Sequence, residues 1–153
     1  MVSRRFAVAA FAACIALGSA TASVPALADE VLDGIAALPG SVEDVRIGGT
    51  WEDGGKIGTY RILVTRTGGE AVTARMFVQW VAYTDDGGAT VEHTIEIEEL
   101  GALKVDVIDF TSDADADGLS VFIQTLDPNG TLDQDYALYV FSPTQHRFGP
   151  ASN

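Results

Sequence analysis

The sequence predicts an all-β protein, an antiparallel β-sandwich or small barrel of about seven strands, preceded by a cleaved signal peptide. Turn-forming Gly, Asp and Asn residues recur after residue 41, for example in EDGG at 52–55 and DDGG at 85–88. Between these turns lie runs rich in Val, Ile, Thr, Tyr and Phe, and several runs alternate apolar with polar residues. No helical period continues for more than about one turn in this region, so strands are favoured over helices.

Residues 1–28 have the parts of a secretory signal peptide. Arg4 and Arg5 precede an uncharged apolar run, and Ala26 and Ala28 give the small-x-small pattern before Asp29. The apolar run is shorter than the roughly 20 residues that a membrane-spanning helix needs. The sequence therefore predicts a periplasmic or secreted protein that has no transmembrane segment after cleavage.

After the signal peptide, the sequence divides into a leader or short helix at 29–41, a β-sandwich domain at 42–142 and a flexible tail at 143–153. The leader contains a short apolar set that stops at Pro39 and Gly40. The turn pattern places strands at about 43–51, 57–66, 71–84, 89–100, 103–111, 119–126 and 135–142.

Three strands carry more specific patterns. The strand at 71–84 has one fully apolar face and a partly apolar second face, which predicts a central position in its sheet. In the strand at 89–100, His93 shares an apolar face with neighbouring Val and Ile residues, while Glu residues occupy the other face. The alternation slips between Val107 and Ile108, which predicts a β-bulge.

The chain is strongly acidic, with 22 acidic and nine basic residues and a net charge of −13. Without Arg4 and Arg5, seven basic residues face 22 acidic ones, so the net charge becomes −15. Such a chain is repelled by nucleic acid and by anionic lipid. Solubility is the simplest reason for the charge. A partner protein or small ligand would be cationic if electrostatic attraction selects it.

The stretch TSDADADGLS at 111–120 is the best candidate for a metal site. Asp113, Asp115 and Asp117 alternate before a glycine, as carboxylates do in the first half of some calcium loops. An EF-hand is excluded because Gln124 stands where its bidentate Glu belongs and the context is β-strand. A calcium cage would need further oxygens from Asp109, Asp133 or Asp135. A plain hairpin turn is the preferred interpretation, no cofactor is expected, and Ca²⁺ is the alternative.

Other chemistry is less well supported by the sequence. Cys14, the single cysteine, belongs to the signal peptide, so disulfides and thiol catalysis are not expected in the mature chain. His93 is expected to be a buried strand residue, with catalysis as the alternative, and His146 lies in the predicted tail. No G-x-S-x-G nucleophile motif is present.

Four aromatic residues lie within the predicted strands and have two interpretations. They would either belong to the core, which is the more common outcome, or line a surface that binds sugars or peptides. They are Trp51, Tyr60, Trp80 and Tyr83.

The sequence as a whole favours a small exported, non-enzymatic β-sandwich that acts as a binding or interaction module of unknown ligand. Three alternatives stay open at this point. They are a calcium-stabilised extracellular module, a hydrolase or lyase that uses carboxylates and His93, and an acidic inhibitor of a cationic extracellular enzyme. No catalytic residue is assigned.

Overall fold

The protein folds into two four-stranded antiparallel sheets that pack together as a sandwich. The computed structural model describes residues 26–128 and 133–152. In these residues, the strands are β1 (Val42–Asp53), β2 (Lys56–Thr67), β3 (Thr73–Tyr83), β4 (Ala89–Glu96), β5 (Asp106–Asp115), β6 (Gly118–Leu126), β7 (Asp133–Ser142) and β8 (Gln145–Pro150), and the helices are α1 (Ala26–Ala36) and α2 (Glu98–Leu103). The predicted all-β class is confirmed.

Each sheet is built from strands that are consecutive in the chain. The first sheet has the order β1-β2-β3-β4 and the second has the order β5-β6-β7-β8. The two sheets share no strand in the described residues, so the sandwich rather than the barrel is the observed form. Strand β3 lies inside its sheet, as its two partly apolar faces predict.

Alternation of apolar residues along the inner strands produces the core between the sheets. On β2, Tyr60, Ile62 and Val64 are buried at every second position, as the period of a strand requires. The other fully or nearly buried apolar side chains in this core are Ala74, Met76, Val78, Trp80, Ile97, Leu100, Val107, Phe110, Leu119, Val121, Ile123, Leu138 and Val140. Both sheets therefore contribute to one continuous core.

Two arginines of the first sheet bind β5 of the second sheet. Arg66 on β2 donates hydrogen bonds to Asp106, at 2.9 Å, and to the carbonyl of Val107. Arg46 on β1 donates to Asp109 at 2.7 Å and to the carbonyl of Phe110 at 2.8 Å. These charge-assisted bonds connect the sheets along one side of the sandwich.

The predicted bulge in β5 is confirmed. The β5–β6 register shifts between Val107 and Asp109, and Ile108 has no partner on β6. Because the extra residue turns outward, Ile108 is exposed while Val107 stays in the core.

The strand predicted at 89–100 is too long, which is a correction. Strand β4 ends at Glu96, and helix α2 follows it directly. Glu98 and Glu99 occupy the first turn of α2, where negative charge is favourable, and Ile97 and Leu100 are buried at a spacing of three. Ile97 continues the apolar face of the strand, whereas Leu100 would fall on its acidic face, so the alternation supports a strand only as far as Ile97. The spacing of three is instead that of a helical turn.

The tail predicted at 143–153 contains an eighth strand, which is a second difference from the prediction. Strand β8 pairs with β7 from Ser142↔Gln145 to Tyr136↔Pro150. The rings of Tyr136 and Phe148 stack at 5.1 Å, so aromatic packing helps to hold this strand. Gly149 and Pro150 concealed the strand pattern in the sequence.

Residues 1–25 of the predicted signal peptide lie outside the described residues, as do residues 129–132. Helix α1, a unit separate from the sandwich, includes the end of the predicted signal peptide and most of the predicted leader. Among the helices described, none has the length and apolar character to cross a membrane.

Candidate functional site

An open cleft of about 1200 Å³ lies at one end of the sandwich. The β1–β2 hairpin, the β5–β6 hairpin, the end of β3 and the β7–β8 turn all contribute to its walls. Ligand sites in proteins are typically concave and combine apolar walls with a few polar groups. The cleft is concave and combines aromatic side chains with several charged groups, and it is the candidate functional site.

The floor of the cleft is aromatic and continuous with the core. Tyr60 and Trp80 are only 5% and 6% exposed, and their rings meet edge to face at 5.6 Å. The sequence left two alternatives for these residues, the core and a binding surface. In the structure both side chains belong to the core and also line the cleft. Burial raises the pKa of the Tyr60 phenol, so this floor is uncharged at neutral pH.

Trp51 lines the cleft in a fixed orientation. Its indole Nε1 donates a hydrogen bond to the carbonyl of Thr59 at 3.1 Å. The ring lies against Gly58, where a Cβ would come within 2.8 Å of the indole. Gly58 is therefore needed for the close approach of the ring, which is partly buried against the core.

Large apolar side chains also stand exposed around the cleft. Tyr83, Phe141 and Ile57 line it with exposed fractions of 54%, 48% and 58%. They come from β3, β7 and β2, which are distant in sequence. An exposed apolar set in a concave surface is typical of a binding site.

The charged residues of the cleft are mainly acidic. Lys56, the basic residue among those that line it, is paired with Glu92 at 2.7 Å. This bond from Lys56 lowers the pKa of the Glu92 carboxyl. Four further carboxylates line the cleft and form no ion pair within the described chain: Glu52, Asp53, Asp115 and Asp117.

His93 is exposed, and the expectation of a buried strand histidine is wrong. Strand β4 is at the edge of its sheet, and its residues 89–94 are all exposed. The His93 ring packs edge to face on Trp80 at 6.2 Å, and it lines the cleft. His93 is thus a site residue rather than a core residue.

The three aspartates of the predicted metal loop lie in a tight hairpin. Asp113 and Asp115 belong to β5, and Asp117 is in the two-residue turn that leads to β6. The backbone N–H of Asp117 donates to Asp115 Oδ1 at 2.8 Å, which is the Asx-type bond expected of a turn. Asp115 and Asp117 line the cleft, whereas Asp113 does not.

The oxygens proposed to complete a calcium cage are elsewhere. Asp109 and Asp135 both pair in register with Gln124, so Asp109 lies about 20 Å along β5 from Asp115. Asp109 is bound to Arg46. The side chain of Asp133 is outside the described part of the structure. Within the part described, no three His, Cys, Asp or Glu side chains are grouped to hold a metal ion.

His146 lies on strand β8 and does not line the cleft. Its Nε2 lies 3.1 Å from both carboxylate oxygens of Glu99 on α2. This contact connects β8 to α2.

Sequence reasoning identified the aromatic residues but missed the cleft as a whole. Phe141, Ile57 and Lys56 were not singled out, because they gain a common location only through the pairing of the strands. One signal was present: the turns EDGG and ADGL both carry carboxylates, and both hairpins lie at this end.

Comparisons of the chain with protein-family models, with curated proteins and with solved structures gave no match.

Proposed function

We propose that the protein is an exported, non-enzymatic β-sandwich that binds its ligand in the aromatic cleft. The observation that carries the proposal is the cleft itself. Its floor of Tyr60 and Trp80 belongs to the core, while Tyr83 and Phe141 stand exposed at its sides. A rigid floor with exposed aromatic walls lowers the entropy that is lost on binding. Export is supported by the pattern of residues 1–28.

Tryptophan fluorescence tests this proposal directly, since the chain has two tryptophans and both line the cleft. The protein is titrated with three probes that lack tryptophan. The probes are a capped octapeptide of alternating lysine and valine, the same peptide with glutamate for lysine, and the neutral oligosaccharide maltohexaose. We expect at least one probe to change the emission saturably.

Two matched phenylalanine variants locate the binding. Phe141 lines the cleft and Phe122 does not, and their exposed fractions are 48% and 49%. Phe141→Ala should weaken binding by about tenfold, which corresponds to the loss of one aromatic contact. Phe122→Ala should leave binding unchanged. Equal weakening by both variants would contradict the cleft as the binding site.

A hydrolase or lyase is the competing proposal, and the exposure of His93 in the cleft is the observation that favours it. The binding proposal predicts that His93→Ala keeps the fold, since His93 is exposed, and that the wild-type protein turns over none of the three probes. Turnover of maltohexaose or of either peptide by the wild-type protein, lost in His93→Ala with an unchanged melting temperature, would establish the enzyme instead.

A further inference from the structure

We infer that the cleft binds an extended basic segment of a partner protein, a strand in which lysine or arginine alternates with apolar residues. This inference rests on the proposed binding function and adds the class of ligand. It is carried by three features of the cleft: its charge, its aromatic walls and the free edge of β4.

The charge of the cleft selects a cation. Five carboxylates and one lysine line it, which leaves an excess of four negative charges when His93 is neutral. The unpaired carboxylates come from two hairpins, with Glu52 and Asp53 on one and Asp115 and Asp117 on the other. The cleft belongs to a chain whose total net charge is −13, so a basic ligand is attracted from a distance and an acidic one is repelled.

The aromatic walls suit the same ligand. Tyr83, Phe141 and Trp51 offer ring faces and edges beside the carboxylates. Ammonium and guanidinium groups bind favourably over aromatic rings, and the methylene chains of lysine and arginine pack on them. The sandwich already contains this contact, since the guanidinium of Arg147 lies 4.7 Å from the ring centre of Tyr139.

The free edge of β4 favours a peptide over a small cation. Strand β4 pairs with β3 on one side, and in the described chain no strand pairs with its other side. Residues 89–94 are exposed, so their backbone groups are available to an added strand. Because His93 lies opposite Trp80, alternate side chains of that strand would point into the cleft.

The size of the cleft agrees with a peptide. Sites for single small molecules have volumes of about 300–1,000 Å³. The cleft is larger, at about 1200 Å³, and it is open. Several side chains of an extended segment would fill it, whereas a linear polyamine would leave the apolar sides uncovered.

Isothermal titration calorimetry with the lysine–valine octapeptide tests the inference, and spermine is the small-cation probe. The cleft variant is Glu52→Gln/Asp115→Asn, in which the introduced amide oxygen still accepts the turn hydrogen bond from the Asp117 N–H. The control is Glu70→Gln/Glu98→Gln, which removes two exposed charges that do not line the cleft. We expect about five- to tenfold weaker peptide binding in the cleft variant and less than about twofold in the control.

The outcomes separate the inference from the proposed function. If the two double variants weaken peptide binding equally, the binding depends on the net charge of the protein and not on the cleft. If spermine binds as tightly as the lysine–valine octapeptide, the cleft binds a small cation. Either result overturns the peptide inference. If maltohexaose or the acidic peptide changes the tryptophan emission and the basic peptide does not, the inference fails and the binding function stands. If none of the three probes changes the emission, both fail.

Discussion

Single residues determine how closely the two sheets approach, and Gly49 on β1 is the clearest case. Its φ of +129° lies in the region that favours glycine, and it follows a shift in the β1–β2 register. A Cβ at this position would lie 2.5 Å from the Cβ of Ala114 on β5. Glycine is therefore required both by the backbone conformation and by the contact between the sheets.

Replacing Gly49 with Ala should destabilise the protein by about 1–3 kcal/mol, because strain and overpacking add. Urea unfolding followed by circular dichroism measures the change. The control is Gly149→Ala on β8, where no atom lies within 4 Å of the added Cβ and φ is not positive. A similar loss in both variants would show that the Gly49–Ala114 contact is not the cause.

Asp113, Asp115 and Asp117 show how far a residue pattern predicts a site. The pattern correctly placed a tight turn between two strands, since turn residues act locally. It did not reveal that Asp115 and Asp117 line an aromatic cleft, because that depends on strands far away in the sequence.

The β5–β6 hairpin should be equally stable with and without Ca²⁺. The Asp117–Asp115 bond holds the turn through its own atoms, so millimolar Ca²⁺ should not raise the melting temperature relative to a chelator. A rise that disappears in Asp115→Asn/Asp117→Asn would establish the calcium site instead. Mg²⁺ at the same concentration controls for screening of the net charge.

At the scale of elements, Arg66 connects β2 to β5. Its guanidinium donates to the Asp106 carboxylate and the Val107 carbonyl, and its side chain is only 20% exposed. Removing it takes the charged donor from the Val107 carbonyl and from Asp106, which keeps only the hydrogen bond from the Val107 N–H, and it also removes the ion pair with Glu43 at 3.3 Å. Arg66→Met should therefore destabilise the fold by about 2 kcal/mol, as measured by urea unfolding.

The control for Arg66 is Arg61→Met on the same strand. Arg61 donates to Gln79 on the adjacent strand β3, within one sheet, and the substitution removes the same charge. We expect a loss below about 1 kcal/mol. Equal losses would show that the contact between the sheets is not what makes Arg66 important.

The bond from Arg46 on β1 to Asp109 on β5 gives the fold a dependence on pH. The hydrogen bond from Arg46, followed by that from the Phe110 N–H, lowers the pKa of the Asp109 carboxyl. A lowered pKa means that the stabilisation is present above the ordinary value of about 4 and is lost as the pH falls through the folded-state value.

Asp109→Asn should therefore be less stable than the wild type at pH 7, and the difference should shrink as the pH falls below about 4. Urea unfolding at a series of pH values measures this. Asp113→Asn on the same strand is the control, since Asp113 has no basic partner within the described chain. A difference that does not depend on pH would contradict the role of the ionised carboxylate.

Elements differed in how well the sequence predicted them. The alternation in β2 and β3 predicted their buried faces correctly. Each of these strands lies between two neighbouring strands, so its inward side chains are not exposed at an edge of the sheet. The same pattern misplaced His93, since alternation does not show that β4 is an edge strand. The pattern also concealed α2, because Ile97 extends the apolar alternation of β4 up to the residue before the helix.

At the scale of the whole molecule, the sandwich brings two acidic hairpins to the same end as the aromatic residues. The sequence predicted the fold class and the acidic charge, because both follow from local pattern and composition. The cleft could not be predicted, since its walls come from β1, β2, β3, β4, β5 and β7 and depend on the packing of the sheets.

The most direct test of the cleft as the binding site is nuclear magnetic resonance of the two tryptophan indole N–H groups. Both tryptophans line the cleft, and Trp51 Nε1 donates to the Thr59 carbonyl. The ¹⁵N-labelled protein is titrated with the lysine–valine octapeptide at low and high salt. We predict saturable shifts of both indole signals and of the β4 amides, with weaker binding at high salt. Saturable shifts confined to other strands, with both indole signals unmoved, would contradict the account.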